Sequence, residues 1–206
     1  MRKLTCPCDQ VFSVDFPESV NLDSAPETTE NIKNGSFLSC ICPSCNAVLH
    51  TEFNTRFEWP SKKVNIKLIP EVERVSFLSG NMKEESDVQI VIGFAELSDR
   101  ISVLENNLDP LIIEAIKYHL VLKASENNPE AKIIILFEGF KKNGDLEFHI
   151  HGLKTDQVAV TLVPSTIYET LKTEAHDHPE AEPFASLVNG SYVSVQNILI
   201  EEIPNV

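Results

Sequence analysis

Hydrophobic and polar positions change their period along this chain. Val11-Phe12-Ser13-Val14-Asp15-Phe16 reads as a strand, and residues 36–41 and about 47–58 read as two more. Val64, Ile66 and Leu68 alternate with polar neighbours, as a half-buried strand requires. Between these, residues 17–33 are polar and carry Pro17 and Pro26, which predicts a loop with a short helix over about Glu27–Lys33. Asn34-Gly35 is a turn signal, and Trp59-Pro60-Ser61 turns the chain again. Past residue 88 the spacing becomes helical. Val88–Ile92 is a short apolar strand, and Leu97, Ile101, Leu104 and Leu108 fall on one helix face. Asp109-Pro110 restarts a helix with an N-cap residue and a first-turn proline, running to about Ser125 with Ile112, Ile113, Ile116 and Leu120 inward.

Ile133–Phe137 is a continuous apolar run of the kind found in central strands. Asn143-Gly144 begins a hairpin return through Leu146, Phe148 and Ile150, and Val158–Val163 is a further strand. Thr166-Ile167-Tyr168-Glu169 has capping-box spacing for a helix to about Ala175. Residues 176–183 form an acidic loop bearing His and Pro, and Tyr192–Ile200 closes the chain as a strand. The pattern predicts an α+β fold: an N-terminal ribbon-like β unit over 1–70, a linker over 71–87, and a mixed α/β domain, acidic, over 88–206.

That unit is ribbon-like because of its cysteines. All five lie before residue 46. An odd number confined to one short region points to metal rather than to a disulfide framework. The alternatives are a redox pair, an intermolecular bond or iron. Cys6-Pro7-Cys8 and Cys42-Pro43-Ser44-Cys45 form two close pairs separated by a strand, an excursion and a return strand. Zn²⁺ favours four ligands in a tetrahedron at about 2.3 Å from sulfur. Two such turns brought together supply it. Four thiolates leave no position open to water or substrate, so the ion is structural rather than catalytic. Cys40 is surplus: either a buried strand cysteine or a replacement for Cys8 or Cys42. His50, shortly after Cys45, is a competing nitrogen ligand.

The stretch Thr5-Cys6-Pro7-Cys8 with Phe12, then Asn34-Gly35-Ser36-Phe37, Cys42-Pro43-Ser44-Cys45 and Leu68-Ile69-Pro70-Glu71, resembles the CpXC protein family. The resemblance covers about residues 3–71 and extends more weakly over Gly93-Phe94-Ala95-Glu96-Leu97 and Asn107-Leu108-Asp109. It implies a bacterial protein whose paired Cys-Pro motifs bind metal, and it brings no established biochemical activity. Asn46 stands where a glycine is more usual, and Cys40 is extra; neither departure removes an implied ligand.

Charge narrows the partners. The net charge is −14, with 42% hydrophobic and 23% charged residues. Residues 1–70 hold seven basic and eight acidic side chains, while the remainder hold ten and twenty-three. An acidic body repels phosphates, which disfavours nucleic acid and leaves protein as the expected partner. No apolar run approaches the ~20 residues of a membrane span, and the start shows no signal-peptide stretch, which makes the cytoplasm the expected compartment. A rival reading is enzymatic. His149 and His151 share one face of a strand, and His176-Asp177-His178 lies beyond it. Were these four histidines to converge, they would offer a second, hydrolytic metal site. Tyr118-His119 sits on a helix and reads as core edge.

Overall fold

The computed structural model describes residues 1–81, 85 and 87–201. The chain divides into two compact units, Met1–Ser98 and Asp99–Val206.

In the first unit, β1 (Arg2–Thr5) and β2 (Val11–Val14) form an antiparallel hairpin, with Thr5 opposite Val11. A second hairpin joins β4 (Ser39–Ile41) and β5 (Val48–His50), with Ile41 opposite Val48. Between the hairpins lie β3 (Ser19–Asn21) and α1 (Glu27–Lys33). The helix starts after an Asn21 turn, whose side-chain oxygen accepts from the amides of Asp23 and Ser24. The unit is floored by a mixed sheet. β3 runs parallel to β6 (Thr55–Trp59), β6 antiparallel to β7 (Val64–Ile69), and β7 parallel to β8 (Gln89–Ile92). Its core residues are Phe57, Ile66, Leu68, Ile69, Val91 and Ile92, each essentially without solvent exposure.

This sheet moves the division of the chain. The sequence places a boundary at 70 and a linker over 71–87, but β8 pairs with β7 and so belongs to the first unit. A parallel pair needs a crossover connection. Here that stretch contains a 3₁₀ turn at Glu71–Glu73 and α2 (Arg74–Leu78) before the residues outside the description. The expected strand over 47–58 is also two strands, because β5 stays with the cysteine hairpin and β6 enters the sheet.

Helix α3 (Gly93–Glu105) contains the division between the units. The second unit is built around α4 (Pro110–Ser125), whose Asp109 cap accepts from the Leu111 amide as its sequence predicts. β9 (Ile134–Phe140), β10 (Leu146–Lys154) and β11 (Gln157–Val163) form an antiparallel meander. β10 is its middle strand, so the apolar run expected to be central lies at an edge instead. One face of β10 (Leu146, Phe148, Ile150) packs into a core shared with Ile112, Ile113 and Ile116 of α4. Gly152 holds a positive φ where β10 breaks register, and a Cβ there would overlap the Lys132 carbonyl at 2.0 Å.

The remaining elements are α5 (Ser165–Asp177), α6 (Phe184–Leu187), β12 (Val188–Asn189), β13 (Tyr192–Val193) and α7 (Gln196–Glu201). Two expectations fail here. The capping-box spacing at Thr166 forms no side-chain cap, since α5 begins at Ser165 after Pro164. The closing strand is two residues long and gives way to a helix. Tyr192 is fully buried, so its apolar neighbours serve packing rather than an extended ladder. Among the described residues, no helix is long and apolar enough to cross a membrane.

Candidate metal centre

Each cysteine pair sits on the turn closing a hairpin, and the two turns share one construction. After β1, the Cys6 amide donates to the Gln10 carbonyl at 2.9 Å, and the Asp9 amide donates back to the Cys6 carbonyl at 2.9 Å. After β4, the Cys42 amide donates to the Ala47 carbonyl at 2.9 Å, and the Asn46 amide donates to the Cys42 carbonyl at 3.0 Å. Asp9 (φ 65°) and Asn46 (φ 60°) both take the left-handed backbone that reverses each turn. Short polar side chains tolerate that region, which is how Asn46 replaces the more usual glycine. The first turn is the second shortened by one residue. This accounts for C-P-C doing the work of a two-residue spacer.

The turns bring four sulfurs together. Cys6 Sγ lies 3.6 Å from Cys45 Sγ, and Cys8 Sγ lies 3.7 Å from Cys42 Sγ. All four ligand atoms fall within 4.8 Å of one another. A disulfide requires about 2.0 Å between sulfurs, and all five cysteines are free. A tetrahedron of sulfurs at ~2.3 Å from zinc has edges of ~3.8 Å, so the donor set fits such an ion. Cys6 and Cys42 are buried and Cys8 and Cys45 exposed, so each turn contributes one inner and one outer thiol.

Electrostatics distinguishes the thiols. The Cys45 amide, followed against burial by that of Ser44, points at Cys42 and pulls its pKa down to about 6. The Cys8 amide also favours a thiolate at Cys6, but burial and the three other thiols together push Cys6 up to about 12. Four mutually facing thiols cannot all ionise without a cation among them. The cluster is therefore electrostatically incomplete as a set of side chains.

The other candidates are placed elsewhere. Cys40 is half-buried opposite Leu49 and outside the cluster. His50 is exposed at the far end of β5, opposite Ser39, and is likewise outside it. His149 faces Glu147 at 3.2 Å and Glu138 at 3.6 Å, and His178 faces Glu180 at 3.9 Å. His149 and His151 lie on β10, whereas His176 sits in the last turn of α5 and His178 at its end. Among the described residues, the four cysteines are the only group of three or more metal-ligating side chains. The histidines do not form the second site on which the rival, enzymatic reading depended. Tyr118 is half-buried against the second unit's core, with the exposed His119 ring 5.4 Å from its own.

Sequence reasoning missed a second polar cluster. Lys117 on α4 pairs with Asp99 of α3 and, at 2.8 Å, with Glu114; their side chains are 5%, 4% and 8% exposed. Asp99 also accepts the Phe137 amide at 2.6 Å, and Glu114 accepts the Val195 amide at 2.8 Å. Burial, reinforced by Glu114, raises the Asp99 pKa against the pull of Lys117. Burial alone would lower Lys117, but the two carboxylates outweigh it and raise its pKa. The signal lay in Glu114 and Lys117 sitting three apart among Ile112, Ile113, Ala115 and Ile116, which puts both charges on a buried face.

The fold and the site define a class: a mixed α+β protein whose N-terminal hairpins gather four cysteines able to hold a metal ion. The chain belongs to the CpXC protein family, whose model matches residues 4–117 and so runs past the first unit into α4. An uncharacterized protein of Treponema pallidum (strain Nichols) is 32% identical over 220 aligned residues, covering 98% of this chain and all of that protein. Its bacterial source is consistent with the origin the resemblance implies. No solved structure matches the chain.

Proposed function

We propose that Cys6, Cys8, Cys42 and Cys45 hold one Zn²⁺ whose role is structural, and that the protein is a non-enzymatic module for binding another protein. The observation that carries the metal reading is the pair of sulfur contacts at 3.6 and 3.7 Å between two turns remote in sequence. Those distances suit a shared tetrahedral ion and are far too long for a covalent bond. With sulfur at all four positions, the ion has nowhere to bind water. It supplies cross-linking of two hairpins that bury little of their own. Structural zinc in small modules contributes roughly 10–16 kcal/mol of apparent folding free energy. Thiols used in this way require a reducing compartment, which supports the cytoplasm.

The interaction reading rests on the surface around the site. Ile41 and Val48, neighbours across the second hairpin, are both more exposed than buried, and Val11 on β2 is half-exposed. Ile41 and Val48, apolar neighbours on the hairpin that carries the second cysteine turn, suit a protein partner. The acidic second half favours a basic partner over nucleic acid.

The test is elemental analysis of purified protein beside its Cys42→Ser variant. One zinc per chain in the wild type, lost in the variant together with the first unit's cooperative melting, supports the reading. Unchanged metal content and melting in the variant would remove Cys42 from the ligand set.

A further inference from the structure

The first unit contains a cavity of about 460 Å³ lined by Gly35, Phe37, His50, Thr51, Glu52, Pro70, Val72 and Phe94. Its walls are drawn from separate stretches of the chain. Gly35 and Phe37 lie between α1 and β4, Pro70 follows β7, and Phe94 opens α3. These are segments by which the chain resembles its family, and all the lining residues fall within the matched span. The volume lies in the range of small-molecule sites, which are mostly apolar walls with a few placed polar groups.

Glu52 is the charged side chain of that lining. Its two oxygens accept the amides of Glu71 at 2.6 Å and Phe94 at 2.7 Å, which fixes the carboxylate at the start of α3. A carboxylate has about four acceptor positions, so two amides leave it capacity for further donors. Glu71, by contrast, is paired with Arg74 at 2.7 Å. Among the described residues, no lysine or arginine pairs with Glu52. A carboxylate held in place without a cation, beside two phenyl rings and an imidazole, has the chemistry that selects an organic ammonium. The rings attract it through their negative faces, and the carboxylate supplies the counter-charge. An anion would meet the same carboxylate as repulsion.

We propose that this cavity binds a small organic cation. The apolar body of the ligand packs against Phe37, Pro70 and Phe94, and its ammonium group meets Glu52. This assignment is independent of what the cysteines hold.

The experiment uses the full-length, metal-loaded protein and two probes of matched ring: 2-phenylethylammonium and 3-phenylpropionate. Each is titrated while backbone amide resonances are followed. The expected result is saturable shifts for the cation, centred on Gly35, Thr51, Val72 and Phe94, with the anion at least tenfold weaker. Glu52→Gln should weaken the cation at least tenfold. Because Glu52 also holds two backbone amides, Val72→Lys is the second variant. Val72 is 91% exposed, so this change should leave melting and metal content unaltered while placing a competing ammonium at the cavity. It too should cost tenfold or more. Equal response to both probes, shifts centred elsewhere, no saturable response, or unaltered binding in Val72→Lys would each overturn the proposal. Such failures with metal content intact leave the zinc reading standing, since metal analysis of the same sample reports on it separately.

Discussion

The molecule contains two clusters of ionisable side chains drawn from distant parts of the chain, and they solve opposite problems. The cysteine cluster joins two hairpin turns and contains no cation of its own. The Asp99–Glu114–Lys117 cluster is more deeply buried, yet Lys117 sits between its carboxylates and backbone amides take a remaining oxygen of each. A set of acids that includes its cation can close by folding alone. A set that lacks one needs an ion from solution. The second unit surrounds its cluster with a large apolar core, whereas the hairpins of the first have little to bury. On the proposed metal reading, the cluster that takes an ion is thus also the one whose surroundings would depend on it most.

The largest test of that contrast is Cys42→Ser. It should release the metal and unfold the paired hairpins, a loss on the order of the roughly 10 kcal/mol that structural zinc supplies. Circular dichroism and zinc content should fall together, while the second unit's core stays cooperative. Chelation of the wild type should reproduce this, and Lys117→Met should be indifferent to chelator. Acid acts in the same direction. Metal uptake displaces thiol protons, so a bound ion keeps the thiolates at a pH well below the range in which the free thiols ionise, and loading is lost as pH falls into acid. Cys42, held down to about 6, keeps its thiolate further into acid than Cys6, which is pushed up to about 12.

Lys117→Met ranks next. It leaves Asp99 and Glu114 buried without their cation and should cost about 3–5 kcal/mol in denaturant unfolding. Asp99→Asn should cost far less, about 1 kcal/mol, since the amide oxygen can still accept from Phe137 and Lys117 keeps Glu114. The raised Asp99 pKa has the same sign: its ionised form weighs against the fold as pH rises above the ordinary aspartate range, and the variant removes that weight. The Lys117 contribution runs the other way. Its pKa is raised on folding, so its stabilisation is complete below the ordinary lysine range and is lost only in strong alkali. A cost for Asp99→Asn equal to that of Lys117→Met would break the comparison.

Asp109→Ala sets the scale for an ordinary exposed polar contact, about 1 kcal/mol for a lost N-cap. Smallest of all, His151→Ala and His178→Ala should leave metal stoichiometry unchanged and shift stability by no more than ~0.5 kcal/mol, because neither sits in a ligand cluster.

How legible these features were in the sequence follows from their locality. The Cys-Pro pairs, the Asp109-Pro110 cap and the Asn143-Gly144 hairpin each lie within a few residues, and each takes the position its pattern implies. The α+β class follows from the switch between strand and helix period. What failed was long-range. Nothing local says that β8 pairs with β7, so the division falls at Ser98 rather than at 70. Ile133–Phe137 is apolar enough for a central strand, but edge or centre is set by partners, and β10 took the centre. Tyr192–Ile200 carries strand-forming residues that the fold uses as a two-residue strand and a helix, a case of packing overriding propensity. Glu52 has no sequence signal at all, since its role depends on a helix that begins more than forty residues later.

The most direct measurement is the mass of the intact chain under native and denaturing conditions, without added metal or oxidant. The account predicts a native species one zinc heavier than the denatured chain, with the denatured mass that of five free thiols, and no such species for Cys42→Ser. A metal-free native chain whose mass shows Cys6, Cys8, Cys42 and Cys45 joined in disulfides would contradict it.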